Sequence, residues 1–517
     1  MTGQPRYYLT TPIYYVNDSP HIGHAYTTLA CDVIARFKRL DGFDVKFLTG
    51  TDEHGQKVEK SALAAGIAPQ EFTDRVSQNF RDLAAFMGYS NDDFIRTTEP
   101  RHIASCQALW RKLVEKGEIT LGSYAGWYSV RDEAFWGEDE LTQGPNGTKL
   151  APTGAPVEWV EEPSYFFRLS GWQQRLLDFY EQNPDFIAPT SRRNEVISFV
   201  KGGLQDLSVS RTSFKWGVPV PDDPAHIMYV WLDALTNYIT AVGYPETSGE
   251  YARYWPADLH MVGKDILRFH AVYWPAFLMA AGLEPPRRVF AHGWWTNEGQ
   301  KISKSLGNVI DPIKLVEHYG LDQVRYFLLR EVPFGNDGDF SHRAMINRMN
   351  GELANDFGNL AQRSLSMINK NNDAQVPAPG QFSAEDTELL AAAAGLLPKL
   401  REAIDRQMFH EGLEAVWQVV RAANGYVDRQ APWALKKTDP ARMRTVLYVL
   451  ADTVRQLALL LQPVMPGSTA RLLDQLAVPS DRRSFAAFDQ RLAAGTPLPK
   501  PEGVFPRFVE TEAGGAA

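Results

Sequence analysis

Two short stretches of this 517-residue chain carry side chains whose types and spacing suit phosphate chemistry. Ser19-Pro-His-Ile-Gly-His24 places His21 and His24 three residues apart where a strand-like segment gives way to a helix-like one. Residues three apart share a helix face, and a helix N-terminus offers N–H groups and partial positive charge, so that face favours a phosphate. Gly23 removes a side chain and lets a flat base or ribose approach the backbone. Gly299-Gln-Lys-Ile-Ser-Lys-Ser-Leu-Gly-Asn308 places Lys301 and Lys304 on a loop of small polar residues. Two ammonium groups on a closing loop would stabilise charge developing on a departing pyrophosphate, with Ser303 and Ser305 as added hydroxyl donors. Singly, each stretch has a plain alternative: two solvated histidines at a helix start, or a solvated loop. Neither Gly-x-x-x-x-Gly-Lys-Ser/Thr nor Gly-x-Gly-x-x-Gly after a strand is present, which leaves these two stretches as the nucleotide site.

The flanking elements are of the kind that position such groups. Residues 7–16 are aromatic and β-branched, as in a strand. Residues 23–40 place Ala30, Val33, Ile34 and Phe37 at helical spacing, with Lys38 and Arg39 in the last turn and Gly42 as the stop. Residues 45–50 read as a second strand, completing a β-α-β unit. Residues 118–165 mix Gly, Pro, acids and aromatics without helical period and read as a β-rich insertion, and α/β texture returns at 226–290. From about residue 345 the chain is Ala- and Leu-rich and helical. The expected fold is α/β plus all-α: a split Rossmann-like parallel-sheet domain with a small β-rich insertion, followed by a helical bundle.

Bulk composition excludes several classes. Charged residues make up 22% and apolar ones 44%, as in ordinary globular proteins. Net charge is −9, so any nucleic-acid contact must use a local patch. Cys31 and Cys106 make neither a disulfide framework nor a cysteine zinc site, and the usage suits a reducing cytosol. No signal peptide and no bilayer-length apolar run is seen, so a cytoplasmic protein without membrane contact is expected.

SPHIGHAY and KISKSLGN, in this order, resemble the HIGH and KMSKS signatures of class I aminoacyl-tRNA synthetases. TTPIYYVND, FLTGTDEHGQK, YVWLDALTNY, VGKDILRFH and AHGWW narrow the resemblance to the methionyl-tRNA synthetase family, over nearly the whole chain. The resemblance implies ATP-dependent activation of L-methionine, with Mg2+ accompanying ATP, and transfer to tRNA(Met). It implies roles for His21, His24, Lys301 and Lys304 at the ATP phosphates, Lys304 foremost, and for Gly23, Gly263, Asp265, His292, Gly293 and Trp294 around the adenosine. Asp52 is similar to the family's acceptor for the methionine ammonium. Ile13, Tyr15, Trp231, Ala234, Leu235, Tyr238, Ile266 and His270 would line the methionine side chain, and such an aromatic wall suits a thioether. FGNLAQR and APW resemble anticodon-reading segments, which makes Asn359, Arg363 and Trp433 the base-contacting candidates.

The implied boundaries are 1–117 and 226–295 for the two catalytic halves, 118–225 for the connective insertion, 296–348 for the lysine-loop region, 349–495 for the anticodon-binding domain and 496–517 for a tail. One departure stands out. Where the family often carries a zinc knuckle, Ser129 and Asp132 stand in place of a Cys-x-x-Cys, and no Cys or His occurs between Arg131 and Arg192. A knuckle without metal is expected, with Trp127, Trp136 and Trp159 as a small apolar core. The chain stops after the helical domain, so a monomer is expected. A cysteinyl synthetase would want zinc ligands in its pocket, a small nucleotidyltransferase would be far shorter, and a non-catalytic relative would have lost His21, His24 or Lys304.

Overall fold

The computed structural model describes residues 3–16, 19–132, 134–302 and 307–509. The chain forms two compact units, one of Arg6–Pro20 and Val45–His292, the other of Met1–Pro5, His21–Asp44 and Gly293–Ala517. The segment expected as the first catalytic half is thus shared between them.

The first unit is built on a six-stranded sheet in the order Asp93–Arg96, Asp44–Asp52, Arg6–Tyr15, Leu259–Gly263, Val289–His292, Ile187–Ala188. Leu9 pairs with Leu259, His260 with Val289 and Leu48 with Asp93, all in parallel register. Parallel strands are covered on both faces and so read as near-continuous apolar runs. Tyr8, Leu9, Phe47, Leu48, Met261, Val262, Phe290 and Ala291 are accordingly fully buried. Strand order reverses at Arg6–Tyr15: Asp44–Asp52 and Asp93–Arg96 lie on one side, and Leu259–Gly263, Val289–His292 and Ile187–Ala188 on the other. Open α/β sheets bind ligands at the carboxyl ends of the strands beside such a switch. The edge strand Ile187–Ala188 comes from within the expected insertion, too short a run to read as a strand.

The insertion itself is an antiparallel sheet in which Ile119–Ser129 lies along Glu158–Phe167, from Ile119 opposite Phe167 to Tyr128 opposite Glu158. The expected tryptophan core does not form. Trp127 meets Trp159 edge-to-face at 5.3 Å, but Trp159 is 54% exposed and Lys149 lies 4.1 Å from the Trp127 ring. Hydrogen bonds hold the turn instead. Ser129 Oγ accepts from the Asp132 N–H at 3.2 Å and donates to Asp132 Oδ2 at 3.0 Å. Thr153 Oγ1 donates to the same carboxylate, and Arg131 donates to the Thr153 carbonyl at 2.7 Å.

The second unit starts with the Ile22–Leu40 helix, whose Asp32 meets Arg325 at 2.7 Å and whose Phe37 ring packs 4.8 Å from Phe485. Gly42, just past this helix, has φ +87, the left-handed stop its position predicted. Pro440–Leu461 is buried on every face from Thr445 to Leu461 and forms the bundle's central helix. The helical run over residues 350–370 divides in two. Met349–Gly358 winds as a wider π-helix and the α-helix runs Asn359–Asn371. The tail wraps this unit through residue 509: Leu498 N donates to Ala374 O at 2.7 Å, and Phe508 N to Asn350 Oδ1 at 2.8 Å.

Candidate active site

In the second unit, His21 caps its own helix. Its Nδ1 accepts from the Gly23 N–H at 3.0 Å, while His24 Nδ1 accepts from the His21 N–H at 3.1 Å. A ring nitrogen that accepts carries no proton, so both imidazoles are neutral and hold their proton on Nε2. Burial, and His21 beside it, push His24 well below the usual histidine range, in agreement with that state. The two rings lie 3.9 Å apart. Gly23 leaves room for this cap: a Cβ there would stand 2.9 Å from His21 Cε1, so the ring would have to shift. The expected backbone anion site is modified. Ile22 N donates to Ile310 O, and His24 N and Ala25 N donate to His21 O. Imidazole Nε2–H groups and the helix dipole are therefore what this end offers a phosphate.

Lys301 is exposed on the short Gln300–Lys301 strand, which pairs with Trp295–Asn297. The turn between them has φ +49 at Glu298 and +77 at Gly299, as a tight hairpin needs, and Gly307 has φ +65 at the far side of the loop. Asn308 Nδ2 closes the loop base on Lys301 O at 3.1 Å. Ser303, Lys304 and Ser305 lie outside the described residues. Gly293 is placed where a Cβ would stand 2.3 Å from Asn336 O, and Trp294, 46% exposed, donates its N–H to Asp337 Oδ1 at 2.8 Å.

In the first unit, Tyr15, Asp52, Gly263 and His292 all fall at the carboxyl ends of the four central strands. Gly263 and His292 are register partners, and a Cβ on Gly263 would meet Asp265 Oδ1 at 2.5 Å, so that carboxylate folds over the strand end. Asp52 is buried rather than the exposed loop acid its turn sequence allows. Its neighbour Glu53 explains this. Glu53 is fully buried and takes Arg96 through both oxygens at 2.7 and 2.9 Å, with Thr98 at 2.7 Å and Thr51 at 2.8 Å.

The aromatic wall is assembled by three short helical elements, Val230–Leu235, Asn237–Thr240 and Phe269–Tyr273. Val230–Leu235 carries Trp231, Ala234 and Leu235; Trp231 stacks on Phe269 with ring centroids 3.6 Å apart. Tyr238 Oη lies 2.6 Å from His270 Nε2, and His270 Nδ1 lies 2.9 Å from Ile266 O. A carbonyl only accepts, so Nδ1 carries the proton and Nε2 accepts from the tyrosine. Ile13, Tyr15 and Ile266 are half-buried, while Tyr238 and His270 are buried. Sequence reasoning missed Phe269, which lies inside the quoted GKDILRFH stretch, and the buried acid and histidines described below.

Burial pushes His270 down to about 4, against the pull of Ile266 O and Asp265. The sign of the resulting pH dependence follows. Below roughly pH 6.5 the unfolded chain gains a proton that the folded chain refuses. Stability is therefore expected to fall as pH drops from there to about 4, by up to about 3 kcal/mol from this residue. His24 and His260, also depressed by burial, act in the same direction. Denaturation midpoints at pH 7, 5.5 and 4.5 check this, with His270→Gln removing part of the slope; a flat profile refutes it.

The anticodon candidates share one surface. Asn359 is exposed one helical turn before Arg363, whose guanidinium lies 5.5 Å from the ring of Trp433, itself 48% exposed. Residues 421–444 carry six Lys and Arg against Asp428 and Asp439, a basic patch by local sequence. Its excess charge is smaller than that, because Arg421, Arg429 and Arg442 pair with Glu414, Glu385 and Asp386, which lie outside the stretch.

A parallel sheet with a switch point, a helix-capping histidine pair and a lysine-bearing loop define a class I aminoacyl-tRNA synthetase. The family model for class I tRNA synthetases (M) matches residues 7–365, and that for the anticodon-binding domain of methionyl tRNA ligase matches 376–515. The chain belongs to the methionyl-tRNA synthetase family. It is 60% identical to a methionine–tRNA ligase of Mesorhizobium japonicum and 59% identical to one of Brucella suis, each over 98% of this chain and 98–99% of the relative. A solved Mycobacterium tuberculosis methionyl-tRNA synthetase in complex with methionyl-adenylate superposes with TM-score 0.95 at 57% identity, covering 97% of this chain and 100% of that one.

Proposed function

We propose that the enzyme activates L-methionine with ATP to methionyl-adenylate and pyrophosphate, then passes the methionyl group to the 3′-terminal adenosine of initiator and elongator tRNA(Met). The observation that carries this reading is the convergence of Asp52, Gly263, Asp265 and His292 on the strand ends at the switch point, in the same unit as the Trp231–Tyr238–His270 wall. In this reading Asp52 takes the substrate ammonium, Asp265 the ribose hydroxyls, and the Nε2–H groups of His21 and His24 the phosphates. Lys301 and Lys304 neutralise the leaving pyrophosphate. Mg2+ enters with ATP as part of the nucleotide substrate. The substrate carboxylate attacks the α-phosphate, so the protein supplies position and charge rather than a nucleophile.

In this reading the limits named above are functional divisions along the chain and differ from the two compact units. The knuckle is read as zinc-free because Ser129, Asp132 and Thr153 are oxygen groups bound to one another, and structural zinc takes nitrogen and sulfur ligands. The protein is read as a cytoplasmic monomer. In support, Cys31 and Cys106 are buried and not joined to each other. Among the described residues no helix is long and apolar enough to cross a membrane.

The test is pyrophosphate exchange against all twenty amino acids, in which methionine alone is expected to score. Lys304→Ala is expected to slow adenylate formation at least about tenfold, roughly 1.4 kcal/mol, with methionine affinity near normal. An unchanged single-turnover rate would remove Lys304 from the chemistry. Trp433→Ala is expected to lower aminoacylation of tRNA(Met) by about tenfold or more, since a base stacked on an aromatic contributes about 1–3 kcal/mol. Methionine-dependent pyrophosphate exchange should stay unchanged; equal loss in both assays would make Trp433 structural.

A further inference from the structure

A buried cluster beside the methionine pocket has no part in the reading above. Asp233 is 1% exposed, and each of its carboxylate oxygens meets a histidine: His102 Nε2 lies 2.7 Å from Oδ1 and His54 Nδ1 lies 2.7 Å from Oδ2. Cys106 Sγ lies 3.2 Å from His102 Nε2. The composition of His102, Cys106 and Asp233 would suit a metal ion. Two ligands of one tetrahedral zinc stand roughly 3.3 Å apart, however, which is wider than the 2.7 Å between His102 and Asp233. Burial also pushes the Cys106 thiol up, away from the thiolate a metal would need. The cluster is a hydrogen-bonded one. Burial alone would raise Asp233, yet the two histidines hold it well below the usual carboxylate range, so it is ionised.

The three elements it joins matter most. His54 stands two residues after Asp52, at the end of the Asp44–Asp52 strand. Asp233 lies in the Val230–Leu235 helix, between Trp231 and Ala234. His102 belongs to the Pro100–Glu115 helix. Between Asp52 and His54, Glu53 is locked by Arg96, and its carbonyl accepts from Trp216 Nε1 at 2.6 Å.

We infer that Asp233 is a positioning residue for methionine recognition: through His54 it locks the Asp52 turn against the helix that carries the Trp231 wall. Ammonium acceptor and side-chain wall are thereby held at one spacing, which selects an α-amino acid of a given reach. The inference rests on the reading of Asp52 as the ammonium acceptor. A pocket pre-set in this way loses no ordering entropy on binding, so loosening it weakens affinity for the amino acid and not for the nucleotide.

The test is steady-state pyrophosphate exchange on the full-length enzyme with Asp233→Asn, Asp52→Asn and the double variant. Asp233→Asn is expected to raise KM for methionine about tenfold or more while KM for ATP stays within about twofold. Because Asp233 acts through Asp52, adding Asp233→Asn to Asp52→Asn should change KM for methionine little further. His54→Gln, which keeps an N–H donor, should stay within about threefold of the parent, whereas His54→Leu should repeat the Asp233→Asn phenotype; this pair carries the test if Asp233→Asn does not fold. An unchanged KM for methionine, or additive effects in the double variant, overturns the inference. If Asp52→Asn raises KM and Asp233→Asn does not, only the clamp falls; if neither does, the assignment of Asp52 falls.

Discussion

Asp52→Asn is expected to lower kcat/KM for methionine in pyrophosphate exchange by roughly 100- to 1,000-fold, while the folded state survives. Asp52 is 7% exposed at a strand end, in a turn whose next two side chains are both pinned. The amide has the same shape but no charge. The substrate ammonium would then be desolvated without a counter-charge, and breaking a buried ion pair on one side costs about 3–5 kcal/mol. A factor of ten corresponds to about 1.4 kcal/mol, so the low end of that range already gives more than 100-fold. The discriminating control is the ATP side, where KM should move by less than about threefold. A variant with normal methionine KM would show that another group takes the ammonium.

Arg325→Met is expected to be the most destabilising single change among those considered, and it touches no substrate. Arg325 is fully buried and gives Nη2 to Asp32 at 2.7 Å, Nε to Val464 O at 2.9 Å and Nη2 to Pro463 O at 2.8 Å. Removing it takes a charged partner from the buried Asp32 carboxylate, which keeps Arg36 at 2.8 Å, and a donor from each of the Val464 and Pro463 carbonyls. With Arg36 still in place the cost should sit near the low end of the 3–5 kcal/mol range. For a unit of this size that lowers Tm by on the order of 6–12 °C. The double change Asp32→Asn with Arg325→Met should recover part of the loss, because no buried charge is then left unpaired. A Tm within about 2 °C of the parent would mean that the pair contributes little. The same pair anchors the helix that presents His21 and His24, so the single variant should also lose activity at temperatures below its Tm.

The candidate site residues stand out in the sequence because their signals are local. His21 and His24 sit three apart at a strand-to-helix junction, and the structure places them at a helix start, three apart, with Gly23 against the His21 ring. The strands read at 7–16 and 45–50 and the helix read at 23–40 from local residue type and period stand at 6–15, 44–52 and 22–40 in the structure. What the local signal could not carry was choice of partner. The helix start looked like a set of open N–H donors, yet Ile310 and the His21 carbonyl and ring take them. The basic stretch at 421–444 looked uncompensated because its acids, Glu385, Asp386 and Glu414, lie earlier in the chain. Asp233 stood unremarked in a motif quoted for its aromatics, since nothing nearby announces His102, 131 residues away.

By itself the sequence determined the residue types, their period and the two motifs that name the class, because each depends on spacings of a few residues. Only the tertiary structure decided which nitrogen of each histidine holds its proton, which carboxylates are buried and ionised, and that hydrogen bonds rather than tryptophans hold the knuckle turn. Those outcomes are set by contacts across as many as 293 residues, as in Arg325 with Asp32. Desolvation then makes an unmade contact costly, so burial and partner are settled together when the chain folds.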